Sequence, residues 1–152
     1  MPGKILIFGA TGAVGSSLAK LLKNNSYDIH LIAKNKEEVS RLSNELGSTY
    51  STADVTDPSF IDKIDSDLKS TDIAGIAYCV GSIDLKPINL VTKKDYLKSF
   101  ELNFFPIVEI VKKYKENLKK NKSSIVVFST VAVKQGFPNH SVISPVKASL
   151  EG

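Results

Sequence analysis

Gly9-Ala10-Thr11-Gly12-Ala13-Val14-Gly15 places its three glycines three residues apart, and it is the first stretch of the chain whose spacing suggests chemistry. Glycine is needed where a backbone bends sharply, where it must pass close to a phosphate, and where a helix packs tightly on a strand. A helix that starts in such a turn offers free N–H groups and the positive end of its dipole to an anion. The stretch therefore reads as a pyrophosphate-binding turn for a nucleotide, with a purely structural turn as the alternative. Two histidines could move protons. His140 is kept either as a proton-transfer group, since an unperturbed imidazole titrates near ~6.5, or as a plain loop residue. His30 sits inside an apolar run and reads as structural, and the single Cys79 reads as a small buried side chain at a strand end.

The elements that must position these residues alternate. Lys4–Phe8 is a short continuous apolar run, as expected of a strand buried on both faces. Ala13 to Leu22 shows helical spacing through Val14, Leu18, Leu21 and Leu22. Ile29–Ala33 is a second strand, Glu37 to Leu46 a second helix stopped by Gly47, and Thr49 to Val55 a third strand rich in β-branched residues. Pro58 to Leu68 is read as a helix with proline in its first turn, Ile73 to Val80 as a fourth strand, and Ile125 to Phe128 as a fifth. Between the last two, Lys93 to Lys120 is expected to form one long helix, kinked at Pro106, with Phe100, Phe104, Ile107, Val111, Tyr114 and Leu118 on its buried stripe. Ser144-Pro145 opens a last helix.

Strand–helix alternation at this spacing implies right-handed crossovers and a parallel sheet. The expected fold is α/β: a Rossmann-type doubly wound sheet in strand order 3-2-1-4-5, three layers deep, in a single domain over residues 1–152. The helix after the fifth strand is expected to be cut short, leaving that strand as an unprotected edge, as in a fragment of a longer chain or an unusually short variant. At the end of the second strand of such a unit an acid would hold the ribose hydroxyls of NAD. Here Ala33-Lys34-Asn35 has no acid, and Lys34 could attract a 2′-phosphate, which favours NADP(H) over NAD(H) unless Lys34 is an ordinary exposed lysine.

At this point several separated motifs coincide with one family. From end to end the sequence resembles the N-terminal portion of the short-chain dehydrogenase/reductase family. The glycine turn, Gly9 to Gly15, is one element. Asp54-Val55 is similar to the pair that contacts the adenine in that family. Cys79-Val80-Gly81 stands where the family has Asn-Ala-Gly, keeping only Gly81. Asn103 matches the active-site asparagine, Ser129-Thr130 the catalytic serine, and Lys147, in Ile143-Ser144-Pro145-Val146-Lys147, the lysine of the Tyr-x-x-x-Lys signature. By the family's loop length Thr130 falls in the serine's place, with Ser129 one before it.

The resemblance implies hydride transfer between a nicotinamide cofactor and a small carbonyl or alcohol substrate. It assigns cofactor contacts to Gly9, Thr11, Gly12, Ala13, Val14, Gly15, Lys34, Asp54, Val55, Gly81 and Lys147, and catalysis to Asn103, Ser129, Thr130 and Lys147. Ile143 stands where the family's tyrosine supplies the proton, and none of the five tyrosines follows the fifth strand. The alternative is an inactive nucleotide-binding module, a sensor or assembly partner. Substrate would enter between the end of the fifth strand and the Asp84–Thr92 loop.

The composition excludes other classes. The 152 residues are 42% hydrophobic and 24% charged, ordinary for a globular chain. No apolar run reaches the roughly 20 residues of a membrane span, and one cysteine cannot build a disulfide framework or a cysteine zinc site. With no leader-like start, a cytoplasmic location is expected. Much of the net charge of +4 sits at Lys112, Lys113, Lys115, Lys119, Lys120 and Lys122, which reads as a solvated helix end; aromatics do not interleave with these lysines in the way a single-strand nucleic-acid binder needs. The Lys93–Lys120 helix could instead face a second copy of the chain, making a homo-oligomer.

Overall fold

The computed structural model describes residues 3–152. Five strands, β1 (Lys4–Phe8), β2 (Ile29–Ala33), β3 (Thr49–Thr52), β4 (Ile73–Tyr78) and β5 (Ser124–Val127), form one sheet in the order β3-β2-β1-β4-β5. Every pairing is parallel, with Ile5 opposite Ile29 and Gly75, His30 opposite Thr49, and Ile76 opposite Ile125. Six helices connect and flank them: α1 (Ala13–Asn24), α2 (Lys36–Leu46), α3 (Phe60–Leu68), α4 (Lys93–Asn103), α5 (Phe105–Asn121) and α6 (Ile143–Ala148).

Strand alternation sends side chains to two separate cores. Leu6, Phe8, Ile32, Ile76 and Tyr78 pack with α3 and α5 through Ile64, Leu68, Ile110 and Tyr114. Ile7, Ile29 and Leu31 pack on the other face with Ala19 of α1 and Val39 and Leu42 of α2. Because both faces are covered, the central strands are almost wholly buried and read in the sequence as unbroken apolar runs. The edge strand β5 leaves Ile125 and Val126 exposed, as expected of an edge.

Local signals fix the helix ends. The Asn35 side chain accepts from the N–H groups of Glu37 and Glu38 at 3.0 and 3.2 Å, capping α2, while Glu37 and Glu38 themselves suit the positive end of its dipole. Gly47 ends α2 in the left-handed region at φ +56°, which glycine adopts without strain. Pro58 lies just before α3 rather than within it.

The expectation of one helix over Lys93 to Lys120 fails. The helix breaks at Phe104, whose φ −128° and ψ −57° leave the helical region. Pro106 has no N–H to give the Leu102 carbonyl, and its ring crowds that oxygen. The Tyr78 hydroxyl donates to the Leu102 oxygen instead, at 2.7 Å. Beyond the break the buried stripe is Ile110, Tyr114 and Leu118, while Val111 turns outward.

A polar chain, buried at His30 and Ser51 and exposed at its ends, joins β2, β3 and α3. His30 is 1% exposed; its Nδ1 meets the Thr49 hydroxyl and its Nε2 the Ser51 hydroxyl, both at 2.8 Å, and Ser51 donates to the Asp67 carboxylate at 2.6 Å. Since Ser51 spends its proton on Asp67, it accepts from His30, which places the imidazole proton on Nε2 and makes Nδ1 the acceptor for Thr49. The structural reading of His30 holds.

Candidate cofactor and active site

The glycine turn joins β1 to α1. Gly9 adopts φ +73°, and a Cβ there would stand 3.0 Å from the Cys79 carbonyl and the Val80 nitrogen. At Gly15 a Cβ would overlap the Gly9 carbonyl oxygen and come within 2.9 Å of the Ala10 Cα. These glycines let the turn lie flat against β4 and let α1 start close behind it. The Gly12 N–H donates back to the Gly9 carbonyl at 3.0 Å, closing the turn. No side chain caps the N-terminus of α1 and no acid sits in its first turn, so Ala13 and Val14 begin the helix with their amides open to a ligand.

A cleft of about 330 Å³ opens in front of this turn. Gly9, Thr11, Gly12, Lys34, Asp54, Val55 and Gly81 all line it, which brings seven residues from four separate stretches of chain to one place. Ala13, Val14 and Gly15 form the first turn of α1 and are not among the residues lining the cleft. Lys34 is exposed at the end of β2. The Asp54 carboxylate accepts from the Thr56 N–H at 3.0 Å and its hydroxyl at 2.7 Å; these bonds, with the positive charge of Lys34, hold it below the ordinary carboxylate range. Half-buried Cys79 forms part of the wall, and burial pushes its thiol up. The cradle, the uncapped helix start and the lysine at the strand end fit a dinucleotide.

Asn103 and Lys147 meet at Gly81. A Cβ on Gly81 would lie 3.0 Å from Asn103 Oδ1 and 3.3 Å from Lys147 Nζ, so two side chains from α4 and α6 end on one point of the β4 loop. Both are buried, at 0% and 8% exposure. Asn103 Nδ2 donates to the Ser99 carbonyl at 3.0 Å, but Oδ1 has no partner among the described residues. No carboxylate pairs with Lys147 among them either, and burial pulls its ammonium below the ordinary lysine value. A half-buried, unpaired ammonium beside a fully buried, unpaired amide oxygen is a cost to folding alone.

Ser129 and Thr130 are not joined to that pair. The Ser129 hydroxyl donates to the Glu151 carboxylate, and Thr130 Oγ1 accepts the Ala132 N–H at 3.3 Å, capping a short 3₁₀ turn. Ile143 starts α6 one turn before Lys147 and is 1% exposed among Val142 and Val146. His140 lies in the preceding loop, with its Nδ1 on the Pro138 carbonyl at 2.7 Å. Sequence reasoning missed Ser99, which anchors Asn103; its position four residues earlier on the same helix was the available signal.

The family model described as enoyl-(acyl carrier protein) reductase matches residues 9–152. The chain belongs to the short-chain dehydrogenase/reductase family. Among solved structures, a short-chain dehydrogenase/reductase from Saccharomyces cerevisiae matches with a TM-score of 0.90 at 22% identity, covering 97% of this chain and 61% of its own. A short-chain dehydrogenase from Streptomyces avermitilis matches with 0.90 at 20% identity, over 99% and 58%. The closed form of a serine dehydrogenase complexed with NADP+ matches with 0.88 at 16% identity, over 97% and 62%. These likenesses establish the fold. This short-chain dehydrogenase/reductase chain spans about 63% of the length of the first such structure. Among its described residues no helix is long and apolar enough to cross a membrane.

Proposed function

We propose that the protein is an NADP(H)-dependent oxidoreductase that moves a hydride between the nicotinamide and a small carbonyl or alcohol substrate. The observation that carries this reading is the convergence of unpaired, buried Lys147 and Asn103 on Gly81, at the rim of the cleft that fits the dinucleotide. Gly9, Gly12 and the open amides of α1 hold the pyrophosphate. Asp54 and Val55 border the adenosine, and Lys34 favours a 2′-phosphate. The bound cofactor supplies the hydride. Lys147 binds the nicotinamide ribose, Asn103 Oδ1 keeps an acceptor turned towards it, and Thr130, or Ser129 once its proton is released from Glu151, serves as a hydroxyl donor to the substrate oxygen. The working protein is cytoplasmic and pairs through α4 and α5, where Phe100, Phe104 and Phe105 form an aromatic cluster with centroids 5.8–5.9 Å apart.

A second reading rests on Ile143. Buried and apolar, it can neither donate nor accept a proton, which favours a dinucleotide-binding module that senses or assembles rather than reacts. Calorimetric titration of the full-length protein with NADPH and NADH tests the shared premise. NADPH oxidation with a carbonyl panel, in wild type and Ile143→Tyr, separates the two readings. Activity in the wild type supports the enzyme, and activity only after the substitution supports a lost one. If neither cofactor binds folded protein, both readings fall.

A further inference from the structure

The loops that follow β4 and β5 are tied together: the Lys86 N–H donates to the Asn139 carbonyl at 3.0 Å. Between them runs a second groove, of about 530 Å³, with Ile88, Phe137, Pro138, His140 and Ser141 in its walls and Ala132 at its base. No carboxylate, lysine or arginine lines it. On the β4 side the neighbouring charges pair towards α4, Lys86 with Asp95 at 2.9 Å and Asp84 with Lys98 at 3.7 Å; on the β5 side Lys134 is exposed and not among the lining residues. The same loop holds Ile83, Leu85, Ile88 and Leu90 more than half exposed, at 55–69%. So many large apolar side chains on one short loop mark a contact surface rather than scattered exposure.

Two polar groups in the groove are free to orient a ligand. The Pro138 carbonyl can only accept, so its contact with His140 Nδ1 puts a proton on Nδ1 and leaves Nε2 available. The Phe137 ring, 5.5 Å away, and the Ser144 N–H, which donates to the His140 carbonyl at 3.0 Å, hold that residue at the start of α6. The Ser141 hydroxyl is buried and has no partner among the described residues. An O–H donor and an imidazole acceptor, in an uncharged groove whose other polar side chains are Asn89, Asn139 and a Ser144 already donating to the Ala132 carbonyl at 2.7 Å, match a carbonyl and its alcohol. A carboxylate or phosphate would lose its water there with no cation in return.

Resting on the oxidoreductase reading above, we propose that this groove selects an uncharged, apolar carbonyl compound or its alcohol and rejects carboxylated and phosphorylated ones.

The test uses full-length protein and two probes that share a skeleton, acetophenone and phenylglyoxylate. NADPH affinity is measured first by calorimetry. Ligand binding is then read by saturation-transfer NMR, and turnover by NADPH oxidation. Acetophenone is expected to bind at least tenfold more tightly than phenylglyoxylate, and Phe137→Asp to weaken it tenfold or more while NADPH affinity stays within twofold. Ile88→Asp, at a more exposed position, repeats the test should the first variant fold poorly. Equal or tighter binding of phenylglyoxylate, or an unchanged acetophenone affinity in both variants, overturns the proposal. NADPH binding without acetophenone binding also overturns it and leaves the cofactor reading standing. Acetophenone binding without NADPH binding keeps the groove assignment and removes the oxidoreductase reading.

Discussion

Tyr78 supplies the hydrogen bond that Pro106 cannot. In an unbroken helix the amide of residue 106 would donate to the Leu102 carbonyl; proline has none, and the Tyr78 hydroxyl reaches in from β4 to take that oxygen at 2.7 Å. Tyr78 is 1% exposed, and burial raises its phenol well above the ordinary tyrosine value, so it stays a donor at every physiological pH. The break places Asn103 at the end of α4, where it faces α6. Tyr78→Phe keeps the ring and removes the donor. It should cost about 1–2 kcal/mol in urea unfolding, the usual range for stranding a buried carbonyl. An unchanged midpoint would mean that water satisfies Leu102.

The glycines of the turn divide into two kinds. At Gly15 a Cβ would run into the Gly9 carbonyl, whereas at Gly12 it would stand 3.3 Å from that oxygen and otherwise face the cleft. Gly15→Ala should therefore unfold at lower denaturant, by roughly 1–3 kcal/mol, because backbone must move. Gly12→Ala should keep its thermal midpoint within a few degrees and lose dinucleotide affinity instead. Parallel thermal and calorimetric titrations check the pair, and equal loss of stability in both variants would refute the division.

Lys147 should show a trade of stability for function. Its side chain is buried while its half-buried ammonium has no counter-charge, and replacing it by methionine keeps the aliphatic stem while removing the charge. Lys147→Met is expected to gain about 1 kcal/mol in unfolding free energy and to bind NADPH at least tenfold more weakly. A variant that loses both would show that the ammonium has a stabilising partner of its own.

His30 makes the fold sensitive to mild acid. Burial, then repulsion from Lys4, lowers its pKa to about 4 from an ordinary 6.5. Between those values the unfolded chain binds a proton that the folded one refuses. The contribution is therefore complete above pH 6.5 and is lost as pH falls towards 4, to the extent of roughly 3 kcal/mol. Urea titrations at pH 7 and pH 4.5 should differ more for wild type than for His30→Gln, and identical differences would count against the imidazole.

Much of this was legible in the sequence, for physical reasons. Parallel strands buried on both faces leave continuous apolar runs, so Lys4–Phe8, Ile29–Ala33 and Ile73–Tyr78 stand out, and the crossover rule then orders them. The glycine turn between β1 and α1 is local, and spacing alone reveals it. What escaped depends on residues distant along the chain. Pro106 signalled a bend, but the severity of the break rests on a tyrosine from β4. Spacing alone could not place Asn103 and Lys147, from two different helices, on one glycine. Nor does any local pattern reveal that Asp84 and Lys86 turn their charges away from the neighbouring groove.

The hydroxyl–imidazole chain of β2 and β3 has a bearing on how the outermost strand finds its place. Thr49–Thr52 is only four residues long, largely polar and at the margin of the sheet, so apolar contacts give it little preference for one alignment over its neighbours. A slip of a single residue would carry Thr49 and Ser51 to the opposite face and take both hydroxyl partners from the ring nitrogens of His30. Three directional bonds thus act as a key that admits one pairing and rejects those adjacent to it.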